Sequence, residues 1–413
     1  MTASLVLFSV FSVKSPTLCN NASTDYLALK GIWDTYGKTN IKFNIHKGYA
    51  MTEILSHNQR LSRVIVTGGM GFIGSAMIRH LVHSFGSSIL NIDKLTYAGD
   101  LETVSSVSDT ALHKHIKLDI CDNGAIREAI HDFRPSAIIH IAAETHVDRS
   151  IDDSSIFIKT NICGTHSMLQ ATLSYWQTLD KKSQEEFRFL HVSTDEVFGS
   201  LNLNDTVRFN ETYAYAPNSP YSASKASSDH LVRAWGKTYS LPTLTTHCSN
   251  NYGPFQFPEK LIPLLIINAM HGQALPIYGE GKNIRDWLHV DDHISALIRI
   301  VEQGQAGDVY CIGGNAERQN IEVAQTVCAA LDAALPNSPH YPHAKLIQFV
   351  PDRPGHDQKY AIDDSKLRKK LKWSPMQDFE CGIRNTVSWY IAHQEWWKRI
   401  RKDRYDGSRL GRL

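Results

Sequence analysis

A doubly wound parallel α/β sheet, followed by a smaller mixed C-terminal region, is what this sequence predicts. From residue 63 onward, short β-branched runs alternate with stretches of helical period. Strands separated by helices pair in parallel through right-handed crossovers. A glycine cluster, Gly68-Gly69-Met70-Gly71-Phe72-Ile73-Gly74, sits between the first such run and the first such stretch. After Gly253-Pro254 the texture changes, and Pro258, Pro263, Gly272, Pro276, Gly279 and Gly281 divide the chain into shorter elements.

The 413 residues exceed one average domain. Apolar residues make up 42% and charged residues 21%, ordinary globular usage with ample material for a core. Forty-three Lys and Arg against 42 Asp and Glu argue against a nucleic-acid partner of the basic kind. No apolar run approaches the ~20 residues of a membrane helix, so no membrane partner is expected. The seven cysteines are scattered and never form C-x-x-C. That disfavours a disulfide framework or a zinc ribbon and fits a reducing cytoplasm.

Residues 1–61 stand apart as an N-terminal extension. The apolar stretch 4–11 has no Lys or Arg before it and no small-x-small cleavage site after it, so a secretory signal is not expected. The segment reads as a loosely ordered extension, or as a start placed upstream of Met51. The first strand is expected at 64–67, after which Ile73, Met77, Ile78, Leu81, Val82 and Phe85 recur at helical spacing. Further strands are expected at 89–93, 137–142, 189–193 and 244–247. A helix is expected over 162–176, with Thr165, Met168, Leu169 and Trp176 near one face. Residues 62–250 are assigned to a dinucleotide-binding unit and 251–397 to a second region, partly interleaved with the sheet. Residues 398–413 carry seven basic and two acidic residues and read as a solvated tail.

The glycines satisfy both Gly69-x-Gly71-x-x-Gly74 and Gly68-x-x-Gly71-x-x-Gly74. A side chain there would hold a pyrophosphate off the N–H groups at the helix start. Asp93 closes the next strand, 19 residues beyond Gly74. A carboxylate in that place accepts from both ribose hydroxyls and repels a 2′-phosphate, so NAD is expected over NADP, although Lys94 beside it pulls the other way. Asp119-Ile120 and Ile141-Ala142-Ala143 are expected at neighbouring strand ends, where Ala142 and Ala143 read equally well as core packing.

Tyr221 and Lys225 are at i and i+4, one face of a helix. A free phenol has a pKa of ~10, and lowering it by three units takes about 4 kcal/mol. A nearby ammonium and an oxidised nicotinamide could supply that jointly. Ser193-Thr194-Asp195-Glu196 ends a strand at the same edge of the sheet. Adjacent carboxyls whose environments push their pKa values apart give one acid and one base. On periodicity alone, Asp195 reads equally well as a cap on the next turn.

Together these residues resemble the extended branch of the short-chain dehydrogenase/reductase family, and within it the nucleotide-sugar 4,6-dehydratases. The likeness runs from about 63 to 397. It takes in the stretches 67–74, 93–96, 142–149, 193–197, 221–225, 248–254, 285–287 and 352–356. It implies a Rossmann sheet, NAD as cofactor, dTDP-glucose as nucleotide-sugar substrate, a homodimer, and a redox-neutral dehydration feeding rhamnose or another 6-deoxyhexose. By that resemblance Tyr221, activated by Lys225, deprotonates the 4-hydroxyl and Glu196 takes the C5 proton. Asp195 protonates the departing 6-hydroxyl, and Thr194 hydrogen-bonds near O4.

The same resemblance places Gly68, Gly71, Phe72, Ile73, Gly74, Asp93, Lys94, Leu95, Thr96, Asp119, Ile120, Ile141, Ala142, Ala143, Thr145, Thr160, Tyr221, Lys225 and Asn251 at the cofactor. It gives Thr145, Thr194, Asn250, Lys260, Leu261, Pro276, Ile277, Tyr278, Arg285, Asn320, Arg353 and His356 to the nucleotide sugar. Thr145 departs from the Ser common in the family and keeps the hydroxyl. Residues 1–60 have no counterpart in the pattern.

Two rival readings stand beside this one: an epimerase or another dehydratase of the same branch, and a non-catalytic NAD-binding regulator. Asp195-Glu196 speaks against the epimerase but not against a dehydratase for another nucleotide, and four convergent ionisable groups speak against the regulator. His289 and His293, at i and i+4, read as a solvated helix start rather than a metal site. Cys248 reads as a small buried hydrophobe, and Trp396-Trp397 as the apolar end of a last helix.

Overall fold

The computed structural model describes residues 59–352, 355–405 and 407. The expectations for residues 1–58 and for Arg353 lie outside the described residues. The first strands are β1 (Arg63–Thr67), β2 (Ser88–Asp93), β3 (His113–Lys117), β4 (Ala137–His140), β5 (Arg188–Thr194) and β6 (Thr243–Cys248). β7 (Asn250–Tyr252), β8 (Leu275–Tyr278), β9 (Ile284–His289), β10 (Val309–Ile312), β11 (Glu317–Gln319) and β12 (Ile347–Val350) follow. Seven of them form one parallel sheet in the order β10-β6-β5-β4-β1-β2-β3. Strand progress reverses between β1 and β4, and in such sheets a ligand crevice opens beyond the carboxyl ends at that switch.

Both faces of the sheet are covered, which is why its central strands read as unbroken apolar runs. Side chains alternate across a strand. Val64 and Val66 therefore pack on one side with Met77 and Ile78 of α1 (Phe72–His80), with Leu81 just after it, and with Ile294 and Leu297 of α6 (Val290–Gln303). Ile65 goes to the other side, with Ile126 and Ile130 of α2 (Asn123–Phe133), Met168 and Leu169 of α3 (Thr165–Trp176), and Val232 of α4 (Pro220–Tyr239). A further core gathers α5 (Leu261–Met270), α7 (Asn320–Ala334), α8 (Phe379–Ala392) and α9 (Gln394–Asp403). These helices accompany a three-stranded sheet, β11-β9-β7, and a two-stranded sheet, β12-β8.

The structure departs from expectation at several places. The strand expected over 137–142 stops at His140, because the N–H groups of Ile141 and Ala142 both turn to Thr67 Oγ1, at 3.2 Å. The helix expected from 162 starts at Thr165 and is preceded by a wider π-helical segment, Ile158–Gly164. β3, whose sequence is His-Lys-His-Ile-Lys, lacks the β-branched run by which the central strands were read, and β10, Val-Tyr-Cys-Ile, joins the main sheet from within the region assigned to the second unit. His289 and His293 are buried rather than solvated: His289 caps α6 and His293 Nδ1 lies 2.9 Å from Asn251 Oδ1. The start of the basic tail is helical, and Arg399 and Arg404, though solvent-exposed as expected of the tail, also pair with Asp100. Cys248 is buried, as read from the sequence, and Trp396 and Trp397 are buried too, but in the first turn of α9 rather than at the end of a helix. No helix among the described residues is long and apolar enough to cross a membrane.

Candidate active site

The crevice is lined first by the turn after β1. Gly68 has a φ of +71°, and a Cβ on it would lie 2.8 Å from the backbone of Ala142. A Cβ on Gly74 would lie 2.1 Å from the Gly68 carbonyl oxygen. Only glycine lets the loop fold back this tightly on the start of α1. Gly71 is the N-cap of α1 and no side chain caps it, so the first N–H groups, with Phe72 and Ile73, are left for an anion.

Asp93, at the end of β2, accepts from Met70 N at 2.9 Å and from Leu95 N at 2.7 Å. It thus clamps the glycine turn to the segment Lys94-Leu95-Thr96. Lys94 Nζ reaches Thr160 Oγ1 at 3.3 Å and Asp119 Oδ2 at 3.6 Å, so three residues expected at the cofactor do meet. Partial burial works against the Asp119 carboxylate, yet the Cys121 N–H and Lys94 hold its pKa below the ordinary value. Ile120 packs into the core beside Gly164. Ala143 leads to Glu144, whose N–H donates to Asn161 Oδ1 at 2.9 Å.

β5 delivers the second group. Thr194 caps the single turn Asp195–Phe198, its Oγ1 accepting from Glu196 N and donating to Asp195 Oδ1, both at 3.3 Å. The cap is therefore Thr194, not Asp195. Asp195 is 1% exposed, and its Oδ2 has no hydrogen-bond partner. Burial pushes its carboxyl well above the usual range, and Glu196 and Asp286 add to this against Arg285. Glu196 is only half-buried.

Tyr221 and Lys225 occupy the first turns of α4, which opens with a capping box between Ser219 and Ser222 and with Pro220. Burial pushes the Tyr221 phenol well above 10, Glu196 adds to this, and the Thr194 hydroxyl opposes it. Lys225 donates to Val192 O at 2.9 Å rather than acting on the phenol, so the expected lowering by Lys225 is not what the protein alone displays.

The residues expected at the nucleotide sugar come from the other elements. Lys260, N-cap of α5, donates to Thr145 O at 3.1 Å, with Leu261 next to it. Asn250 and Asn320 each bury an Oδ1 without a partner. Tyr278 OH donates to Asp148 at 3.3 Å, and its ring meets the edge of His356. Arg285 lies 4.3 Å over the Tyr360 ring and donates to Asp357 O at 2.9 Å. On β8, Pro276 and Tyr278 are half-exposed whereas Ile277 is buried in the core, so its side chain is not available to a ligand.

A family model described as GDP-mannose 4,6 dehydratase matches residues 65–386. The dTDP-glucose 4,6-dehydratase of Neisseria meningitidis serogroup B is 51% identical over 353 residues, covering 85% of this chain and 99% of the relative. dTDP-glucose 4,6-dehydratase 1 of Escherichia coli K12 is 51% identical over 350 residues, covering 83% and 96%. The chain belongs to the dTDP-glucose 4,6-dehydratase family. Among solved structures of that family, the Bacillus anthracis enzyme in complex with NAD is 41% identical with a TM-score of 0.72, covering 82% of this chain and 99% of that one. The Streptomyces venezuelae enzyme with NAD and TYD bound is 38% identical with a TM-score of 0.74 and the same coverage. The UDP-glucose 4-epimerase of Thermotoga maritima shares the fold at 24% identity.

Beyond the residues legible from family motifs, the structure adds buried supports. Asn161 Nδ2 donates to Ser224 Oγ at 2.8 Å and to Glu144 O at 3.0 Å, tying α4 to the segment after β4. His293 holds Asn251, and Asp229 holds Ser193 at 2.9 Å. None of these carries a local sequence signature, since each partner is far away along the chain.

Proposed function

We propose that this chain dehydrates dTDP-glucose to dTDP-4-dehydro-6-deoxyglucose with NAD as a resident cofactor. The reading is carried by the Thr194-Asp195-Glu196 end of β5, where a buried carboxyl, pushed up by burial, adjoins a half-exposed one, in a chain 51% identical to dTDP-glucose 4,6-dehydratases. The cofactor fits the residues present: the Gly68 and Gly74 cradle would be filled by any Cβ, α1 opens uncapped, and Asp93 stands at the end of β2. NAD bound there supplies a hydride acceptor for C4 that returns the hydride to C6.

The chain's own groups handle the protons. Tyr221 takes the proton of the sugar 4-hydroxyl, with the Thr194 hydroxyl favouring the phenolate and the Lys225 ammonium, one turn on along α4, serving as its positive charge in this reading. The resulting 4-ketone acidifies C5–H, Glu196 removes that proton, and a proton adds back at C5 when the hydride reaches C6. Asp195, whose carboxyl burial shifts toward the protonated form, gives its proton to the departing 6-hydroxyl and releases water. Arg285, Asn250, Asn320, Lys260 and His356 hold the nucleotide diphosphate, the guanidinium as the planar partner of a phosphate. Arg353 belongs to the same proposal. A homodimer and a cytoplasmic location complete the reading, the latter supported by six free cysteines among the described residues.

Purified protein incubated with dTDP-glucose, without added NAD, is expected to form the 4-keto sugar, followed by its absorbance in alkali. Silence with NAD added, and with UDP-, GDP- and CDP-glucose in turn, would overturn the reading.

A further inference from the structure

Behind the catalytic face lies a buried carboxylate that the mechanism above leaves unused. Asp229 sits on α4 one turn beyond Lys225 and is 4% exposed. Its Oδ2 accepts from Ser193 Oγ at 2.9 Å and from Tyr215 OH at 3.1 Å, and lies 3.0 Å from His247 Nε2. Its Oδ1 lies 3.1 Å from His191 Nε2. Ser193 and His247 are directly paired residues of β5 and β6, so one carboxylate grips both members of a sheet pair from the helix above.

Burial normally drives a carboxylate to protonate. Here burial is opposed and outweighed by His191 and His247, and Asp229 is held well below the usual range. The neighbours on every packed element are identifiable. From β4, His140 stacks on His191 at 5.5 Å, and burial pushes its pKa well down. From β5, His191 is pushed down to about 4. From β6, Cys248 is pushed up to about 12, with His247 beside it. From the loop before α4, Tyr215 is raised, as is Tyr221 on α4 itself. Most of the nest is thus uncharged near neutral pH. Lys225, one turn before Asp229 on α4 and buried like it, has its ammonium disfavoured by burial and favoured by Asp229.

We propose that Asp229 is a positioning residue for the reaction proposed above. It is the buried counter-charge that keeps Lys225 an ammonium. Through Ser193 it also holds the Thr194-Asp195-Glu196 end of β5 against the helix that carries Tyr221. One group would then coordinate the two halves of the chemistry, the oxidation served by α4 and the elimination served by β5. The inference rests on the dehydratase reading.

The test compares kcat against pH for the wild type and Asp229→Asn, with dTDP-glucose and excess NAD. Asparagine keeps the shape and an acceptor oxygen and removes the charge. Without the carboxylate, Lys225 loses its proton at lower pH, so the alkaline limb is expected to move down by about one pH unit or more. A uniform fall in kcat with the limb in place is what mere structural damage gives, and it would overturn the proposal.

Should Asp229→Asn not fold, Ser193→Ala decides in single-turnover experiments that follow the absorbance of reduced nicotinamide. Its rise, the oxidation half, is expected at the wild-type rate, and its decay at least ~10-fold slower, within the range of a misaligned acid–base pair. Equal rates in both phases would overturn the proposal. A wild type that fails to turn over dTDP-glucose refutes the dehydratase reading instead, so the two failures are told apart.

Discussion

Asp195 and Asp286 are buried carboxyls raised by the same cause, loss of water, and each bears on pH dependence in its own way. Asp286, in β9, is pushed up to about 7, with the Ala316 N–H opposing the rise at 2.9 Å. A carboxyl whose folded pKa exceeds its unfolded one contributes fully below the unfolded value of ~3.9. That contribution fades as pH rises through about 7. Asp286→Asn keeps the acceptor for Ala316 and is expected to raise Tm near pH ~8 while leaving it little changed near pH ~4. Thermal unfolding of both proteins across that range checks it; an equal change at both ends would sink the argument. At this scale the sequence was informative where chemistry is local. Tyr221 with Lys225, and Thr194 with Asp195 and Glu196, are neighbours on a helix turn or a strand end. Asp229, Asn161 and His293 were not legible, because their partners are brought near only by the sheet.

Among the elements, α9 reaches furthest from where its sequence suggested. Its charges read as solvated because their partners lie about 300 positions away: Arg399 Nη2 donates to Asp100 Oδ2 at 3.0 Å across 299 residues. Arg404 Nη1 adds a bond to Gly99 O at 2.7 Å. Asp100 N in turn donates to Met70 O at 3.0 Å, and Met70 N to Asp93 at 2.9 Å. The C-terminal helix thereby braces the loop that follows Asp93. Partly exposed ion pairs of this kind contribute only ~0–1 kcal/mol each, so their loss should show in the loop before it shows in the fold. The double variant Arg399→Gln/Arg404→Gln is expected to lose NAD several-fold faster on gel filtration, with kcat restored by excess NAD and Tm shifted by only a few degrees. Retention equal to wild type would count against the brace. β3 was expected only by its end at Asp119-Ile120, because this edge strand carries no apolar run, whereas β10, an apolar Val-Tyr-Cys-Ile, was passed over because it lies in the region assigned to the second unit.

For the molecule as a whole, alternation of β-branched runs and helical period was enough to give the doubly wound sheet, because a sheet buried on both faces writes its burial into every central strand. A ligand that binds only the folded state stabilises all of it, by about 2.7 kcal/mol at a hundredfold excess over Kd. NAD is therefore expected to raise Tm in a concentration-dependent way and NADP to do so far less, with Asp93 set against the extra phosphate; equal shifts would contradict that role. The seventh strand has a consequence for synthesis. β10 pairs with β6 through Val309↔Thr245 to Ile312↔Cys248, while α6, from residues 290–303, covers the face formed by Val64 and Val66. A nascent chain released as far as residue 250 has six of the seven strands but a bare β6 edge and an uncovered apolar face. The sheet cannot be completed on the ribosome until residue 312 has emerged, so the glycine turn translated first waits for the second half of the chain to become a finished crevice.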